Sequence, residues 1–203
     1  MYLLQFTLNF VVITVFTKTK DKFLMKLFGK NQLSVIGIIV LTIVFIFSCA
    51  EVNSPIDSSK KTAGLLTVST LTSSNGGAFS PRHVLAIWVE NNSGQFVKTL
   101  LVYAAEQKSD LTNWKSNSAS NAIDAITGAT QNSHATLSCT WNGKDANGNI
   151  VANGYYKLCM ELSDTNGTGT FHTFVFAKDT SAKSVMPTNV QSFSNISINW
   201  VAN

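Results

Sequence analysis

Beyond residue 49 the chain has no excess of positive charge. The whole sequence carries a formal net charge of +4, but five of its fifteen basic residues and only one of its eleven acidic residues precede residue 50. The ten basic and ten acidic residues that remain cancel each other. A protein that binds the phosphates of nucleic acid needs a basic face. The charge balance therefore excludes a nucleic-acid-binding function.

The sequence also lacks the patterns of a repeat protein, a metal site or a hydrolase. No period of 20 to 50 residues repeats, and no Ser-His-Asp grouping can be identified. The histidines, His83, His134 and His172, have neither metal-ligand spacing nor paired cysteines. Residues 145–149 begin like a calcium loop, but Tyr156 stands at the twelfth position, where calcium needs a glutamate. We therefore expect a hairpin turn at residues 144–148.

What the chain does contain after residue 49 is typical of an all-β extracytoplasmic domain. Ser, Thr, Asn and Gly are frequent, and polar residues alternate with aromatic and β-branched ones. About seven to eight short strands separated by turns predict an Ig-like β-sandwich over residues 64–203. The strands are expected at 65–70, 84–90, 95–103, 135–141, 154–162, 170–177 and 195–201, with a loop or short helix around Trp114.

The N-terminal segment predicts export and a lipid anchor. Basic residues in 25–32 precede an uncharged apolar run of 15 residues, Leu33–Phe47, as in a secretory signal. Ile46, Ser48 and Cys49 resemble the bacterial lipobox, in which the cysteine is acylated. An uncleaved transmembrane helix is the alternative, but the run is shorter than the roughly 20 residues of a membrane span.

These features divide the chain into four parts. Residues 25–48 are expected to be a lipoprotein signal peptide, 49–63 a lipidated tether, and 64–203 the β domain. Residues 1–24 are expected to be an extension that arises from a false start codon upstream of Met25, with an extra membrane segment as the alternative.

The segment Asp124–Thr130 (DAITGAT) carries the most specific motif. It resembles the flavinylation motif Asp-x-x-(Ser/Thr)-Gly-Ala-Thr of extracytoplasmic subunits in sodium-pumping and related electron-transfer complexes. The resemblance implies that a flavin transferase attaches FMN to the hydroxyl of Thr130 through a phosphoester. Asp124, Thr127, Gly128 and Ala129 would then form the recognition frame. The alternative is a loop in which Gly128 supplies a turn and the threonines cap backbone groups.

Two further resemblances concern longer stretches. Residues 141–156 are similar to the Ig-like tail of the flagellar hook-capping protein and to related sorting modules, with Asn142 in place of the usual Asp; this implies a fold. Residues 76–161 are similar to a family of predicted periplasmic proteins of unknown function, which look to be companions of flavin transferases. The matching positions are Gly76, Gly77, Phe79, Pro81, His83, Val84, Ala86, Ile87, Trp88, Val89, Phe96, Val97, Lys98, Thr99, Leu100 and Trp114.

Several side chains have two interpretations. His83 could face a flavin or be a hydrogen-bonded structural histidine, and Trp88 and Trp114 could stack on the isoalloxazine ring or be buried core aromatics. A Cys139–Cys159 disulfide is permitted outside the cytoplasm. Alternation instead places Cys139 inward and Cys159 outward, which argues against the bridge.

Together these features predict a membrane-anchored FMN carrier in the cell envelope. It would pass electrons between a membrane redox protein and an extracytoplasmic acceptor, and it would be a substrate of the flavin transferase rather than a conventional enzyme. The competing hypothesis is a non-catalytic Ig-like binding or assembly module of the envelope.

Overall fold

Nine β-strands and two short helical segments make up residues 55–203, the part of the chain that the computed structural model describes. The predictions for residues 1–24, for the signal peptide at 25–48 and for Cys49 lie outside the described residues. In chain order the elements are β1 (Gly64–Thr72), β2 (Val84–Asn91), β3 (Phe96–Tyr103), a 3-10 helix (Lys108–Asp110), α1 (Thr112–Ser118), β4 (Ile126–Gly128), β5 (Thr136–Trp141), β6 (Gly154–Ser163), β7 (Thr170–Lys178), β8 (Lys183–Val185) and β9 (Phe193–Ala202).

The strands form two sheets, which confirms the prediction of a β-sandwich. The smaller sheet has the order β5-β1-β9-β8, and the larger has the order β4-β3-β2-β6-β7. Each strand pair is antiparallel except β3 with β4, which is parallel. The described strands number nine rather than seven or eight, because β4 and β8 contain three residues each and have no apolar alternation by which a sequence could reveal them.

The main core lies between the sheets and follows the period of two that strands impose on side chains. On β6 the core-facing residues are the four that alternation predicts, Tyr156, Leu158, Met160 and Leu162. Trp141 contributes from β5 and contacts Tyr156, with ring centroids 5.4 Å apart. The alternating apolar residues of the sequence therefore define the interior of the sandwich.

A second, smaller core covers the outer face of the larger sheet. Leu111 and Trp114, from the helical segment, pack there on Ala86, Trp88 and Cys159. For this reason β2 is buried along both of its faces, as its continuous apolar sequence predicts.

The two cores also settle the state of the cysteines. Cys139 lies in the main core and Cys159 in the second core, and both thiols are free. The prediction against a disulfide is confirmed. The outward position that alternation predicts for Cys159 is correct in part. The residue faces away from the main core, but it is fully buried under the helical segment.

A buried carboxylate fixes the helical segment on the sheet. The N-cap position of α1 is Leu111, which supplies no side-chain cap, and the first N–H groups of a helix need acceptors. Glu161 of β6 supplies them, since its carboxylate accepts hydrogen bonds from the backbone N–H groups of Asn113 (3.0 Å) and Trp114 (2.8 Å). Glu161 is fully buried, whereas its alternation with Lys157 predicts an outward position; α1 is what covers it.

Residues 144–150 form the tight turn that the sequence predicts, closed by an isolated antiparallel bridge between Lys144 and Ile150. The turn does not join β5 and β6 as a hairpin, because these two strands belong to different sheets. The Asp145 carboxylate accepts hydrogen bonds from the N–H groups of Asn147 and Asn149, both at 2.9 Å. Such local acceptance by an aspartate is what stabilises an Asx turn.

The last residues of the expected tether contact the domain. Lys60 O accepts a hydrogen bond from Asn153 N at 2.8 Å, and the Asn153 side chain accepts one from Thr62 N at 3.0 Å. Residues 60–63 therefore belong structurally with the sandwich. Within residues 55–203, no helix has the length and apolar character to cross a membrane.

Candidate functional site

The motif Asp124–Thr130 lies at an open edge of the larger sheet. Its centre forms β4, which pairs in parallel with residues 101–103 at the end of β3. Ile126 is 44% exposed and Thr127 is exposed. An edge strand leaves one row of backbone groups unpaired. The centre of the motif is thus an extended strand that is exposed to solvent. The alternative interpretation, in which the whole motif is a loop, does not describe this part of it.

At the start of the motif, Asp124 combines an unusual backbone conformation with an accessible charge. Its φ of 55° lies in the left-handed region, which Asp and Asn tolerate better than most residues. Its carboxylate contacts Lys98 Nζ at 3.0 Å, and 80% of its side chain is exposed, whereas only 10% of the Lys98 side chain is. Lys98 therefore anchors a carboxylate that points outward.

Gly128 is required by the contact between β4 and β3. A Cβ atom at this position would lie 2.8 Å from Cδ1 of Tyr103, closer than carbon atoms approach each other in proteins. The small residue of the motif therefore has a structural role here, because it allows the motif strand to lie against the Tyr103 ring.

Thr130, the predicted acceptor, is half-buried and lies beside the loop that follows β3. Its hydroxyl donates a hydrogen bond to Glu106 O at 3.1 Å. The Glu106 carboxylate forms an ion pair with Arg82, the single arginine of the chain. The next residue, Gln131, exchanges two backbone hydrogen bonds of 2.9 Å with His83. The acceptor hydroxyl is thus held by the Glu106 carbonyl, and the side chain of the same residue binds the Arg82 guanidinium group.

An open groove of about 420 Å³ runs along the motif. Its lining is almost wholly small and apolar, with one lysine. The residues that line it are Val102, Ala104, Ala105, Lys108, Ala122, Thr127 and Gly128. Two motif residues, Thr127 and Gly128, therefore line this groove.

His83 is buried and is not among the residues that line the groove. Its Nδ1 lies 2.9 Å from Pro81 O, and its ring stacks on His134 with centroids 4.4 Å apart. Burial lowers the pKa of His83 below its usual value, and the Pro81 carbonyl opposes that shift. The contact of His83 with the motif is made by its backbone, through Gln131.

Trp114 is fully buried, and its indole N–H donates to Thr99 Oγ1 at 3.0 Å. Of the two interpretations of Trp114, a buried core aromatic or a ring stacked on a ligand, this position agrees with the first. Trp88 is likewise fully buried and bonded to Glu90.

A family model described as predicted periplasmic protein (DUF2271) matches residues 67–191, more than half of the chain. The chain belongs to this family. No curated protein and no solved structure matches it. The DUF2271 match includes the motif and every residue of the groove, and it agrees with an extracytoplasmic location. The likeness of residues 141–156 to the hook-cap tail stays a prediction.

Four residues around the motif are not identified by the sequence motif: Arg82, Tyr103, Glu106 and Lys108. Tyr103, Glu106 and Lys108 reach the motif through the parallel pairing of β3 with β4 and through the loop after β3. Arg82, which precedes β2, is connected to it by its ion pair with Glu106. The one local sequence feature that indicates these surroundings is Ala104–Ala105, a pair of small residues directly after an apolar strand.

Proposed function

We propose that this protein is an FMN carrier of the cell envelope, with the flavin attached covalently to Thr130. The observation that carries the proposal is the placement of the motif. It lies on an open sheet edge, Thr130 is partly exposed, and a groove of small residues runs beside it. A bulky group on Thr130 therefore has room next to its point of attachment, and a transferase has access to the strand.

The attachment chemistry is consistent with the surroundings of Thr130. Flavin transfer from FAD forms a bond between Thr130 Oγ1 and the phosphorus of the FMN half, breaks the pyrophosphate bond and releases AMP. An unaided threonine hydroxyl is a poor nucleophile, so the transferase must supply a base and a metal ion. The proton that Thr130 now donates to Glu106 O leaves in this step, and that hydrogen bond is then lost.

Once attached, FMN would supply the redox chemistry, and the protein would supply position and environment. The sandwich holds the motif strand in place, because β4 is paired at the sheet edge to β3, whose Val102 belongs to the second core. The expected lipid anchor at Cys49 would keep the domain at the membrane surface, within reach of a membrane redox protein. The partners of the proposal are therefore a flavin transferase, a membrane redox protein and the lipid bilayer.

Peptide mass spectrometry of the chain, coexpressed with a flavin transferase, tests the proposal. We expect an FMN-mass adduct on the peptide that contains Thr130, lost in Thr130→Ala and kept in the control Thr136→Ala, which removes an exposed threonine outside the motif. A peptide that stays unmodified beside an active transferase would refute the carrier function. The non-catalytic envelope module would then be the better hypothesis.

A further inference from the structure

We propose that the groove beside Thr130 holds the isoalloxazine ring of the attached flavin, and that Lys108 stabilises the ring in its reduced state. This inference rests on the proposed function. It adds a ring-binding site, most of whose lining lies outside the Asp124–Thr130 motif, and a residue outside the motif that sets the reduction potential.

The groove and the attachment point share their walls. Thr127 and Gly128 line one side of the groove, and Thr130 follows two residues later. On the other side, Ala105 and Lys108 flank Glu106, whose carbonyl accepts the Thr130 hydrogen bond. A ring tethered to Thr130 by the phosphate and the five-carbon ribityl chain of FMN thus has this groove beside its point of attachment.

The lining suits a planar aromatic ring. Val102, Ala104 and Ala122 leave an apolar floor without long side chains, and ligand sites in proteins are mostly apolar with a few polar groups that fix orientation. Gly128 lies flat against the Tyr103 ring, where a Cβ would not fit. A surface of this kind gives face-to-face contact with the ring and little hydrogen bonding.

Lys108 is the one ionisable residue in the lining of this groove. Its Nζ lies 5.0 Å from the centroid of the Trp114 ring, a distance at which a cation is attracted to an aromatic face. Because Trp114 is fully buried and hydrogen-bonded, it offers a fixed platform for the ammonium group. Two acids lie two residues from Lys108 in sequence: Glu106 is paired with Arg82, and Asp110 is buried.

The position of this charge has a redox consequence. Reduction of a flavin by two electrons and one proton leaves a negative charge on the pyrimidine side of the ring. A cation in the groove lowers the free energy of that reduced form more than that of the neutral oxidised form. Lys108 should therefore raise the midpoint potential of the flavin.

Potentiometric titration of FMN-loaded protein, followed by flavin absorbance, measures this effect. In Lys108→Met we expect the reduced-to-oxidised ratio at a fixed potential to fall about tenfold, a shift of about 30 mV to more negative values for a two-electron couple. The control is Lys115→Met, which removes an exposed lysine of α1 outside the groove. An equal shift in both variants, or none in Lys108→Met, would overturn the role of Lys108.

A second measurement tests the ring site itself. Ala122→Leu fills the groove, so iodide should quench the flavin fluorescence more strongly than in wild type, because the ring is displaced into solvent. Unchanged quenching would overturn the groove as the ring site. Both experiments use protein whose Thr130 adduct has been verified by mass. Absence of the adduct counts against the proposed function. A normal adduct with unchanged potential and quenching counts against this inference alone.

Discussion

The surroundings of Asp124 allow its role in recognition by the transferase to be tested apart from its role in the folded structure. Its carboxylate is largely exposed, while its partner Lys98 is largely buried, so the pair does not shield the acid from a second protein. Its left-handed backbone is tolerated by Asp and by Asn alike. Replacement by Asn therefore removes the charge and leaves the local conformation accessible.

We expect Asp124→Asn to lower the yield of flavinylation several-fold, because the transferase then meets no carboxylate at the start of the motif. The free energy of unfolding should change by about 1 kcal/mol, because the Asp124 side chain is largely exposed and the amide oxygen of Asn can still accept the hydrogen bond from Lys98. Intact-mass measurement of the modified fraction after a fixed time with transferase gives the yield. Lys98→Met breaks the same ion pair without altering the motif. A loss of yield as large in Lys98→Met would show that the ion pair, not recognition of the carboxylate, is what matters.

At the scale of elements, the edge strand β4 depends on one close approach. Gly128→Ala would place a Cβ 2.8 Å from the Tyr103 ring, and overpacking of this kind typically costs about 1 to 3 kcal/mol. We expect a loss of that size in urea unfolding. Gly154→Ala is the matched control, because a Cβ there meets its nearest neighbour, Tyr156, at 4.0 Å. Equal effects in the two variants would contradict the contact between β4 and Tyr103.

The elements differ in how far they could be predicted. The long strands, such as β2 and β6, follow from apolar runs and alternation, and the turn at residues 91–94 follows from its Asn and Gly residues. Strand β4 could not be predicted, because three residues carry no periodicity and their partner is chosen by tertiary packing.

The same limit applies to the candidate site. The motif, and Thr130 within it, can be found by its spacing. Glu106 and Lys108 cannot, because they are brought to it by a loop with no pattern of its own. The burial of Glu161 on the outward face of β6 could not be predicted either. Alternation assigns the residue to that face but does not reveal that α1 covers it.

At the scale of the whole molecule, the two cores each enclose one free thiol, and this makes stability depend on pH. Burial raises the pKa of Cys139 to about 12, and burial also raises the pKa of Cys159, with the nearby Glu90 adding to that shift. The fold thus favours the neutral thiol. Its full stabilisation is present below the unfolded pKa of 9.0, and it is lost as the pH rises above that value, where unfolded thiols ionise.

Cys139→Ala isolates this effect from other groups that titrate at alkaline pH, among them Lys178, whose pKa burial lowers and which therefore acts in the opposite direction. The variant should be less stable than wild type at pH 8, because a buried side chain is shortened. By pH 10 the gap in unfolding free energy should narrow by about 1.4 kcal/mol, which is one pH unit of unfolded-state ionisation. Urea unfolding at both pH values, with reductant, measures the gap. The control is Ser138→Ala, at an exposed position next to Cys139 on β5, for which the difference in unfolding free energy from wild type should be the same at both pH values. A difference that is also constant for Cys139→Ala would show that this thiol does not govern the alkaline loss of stability.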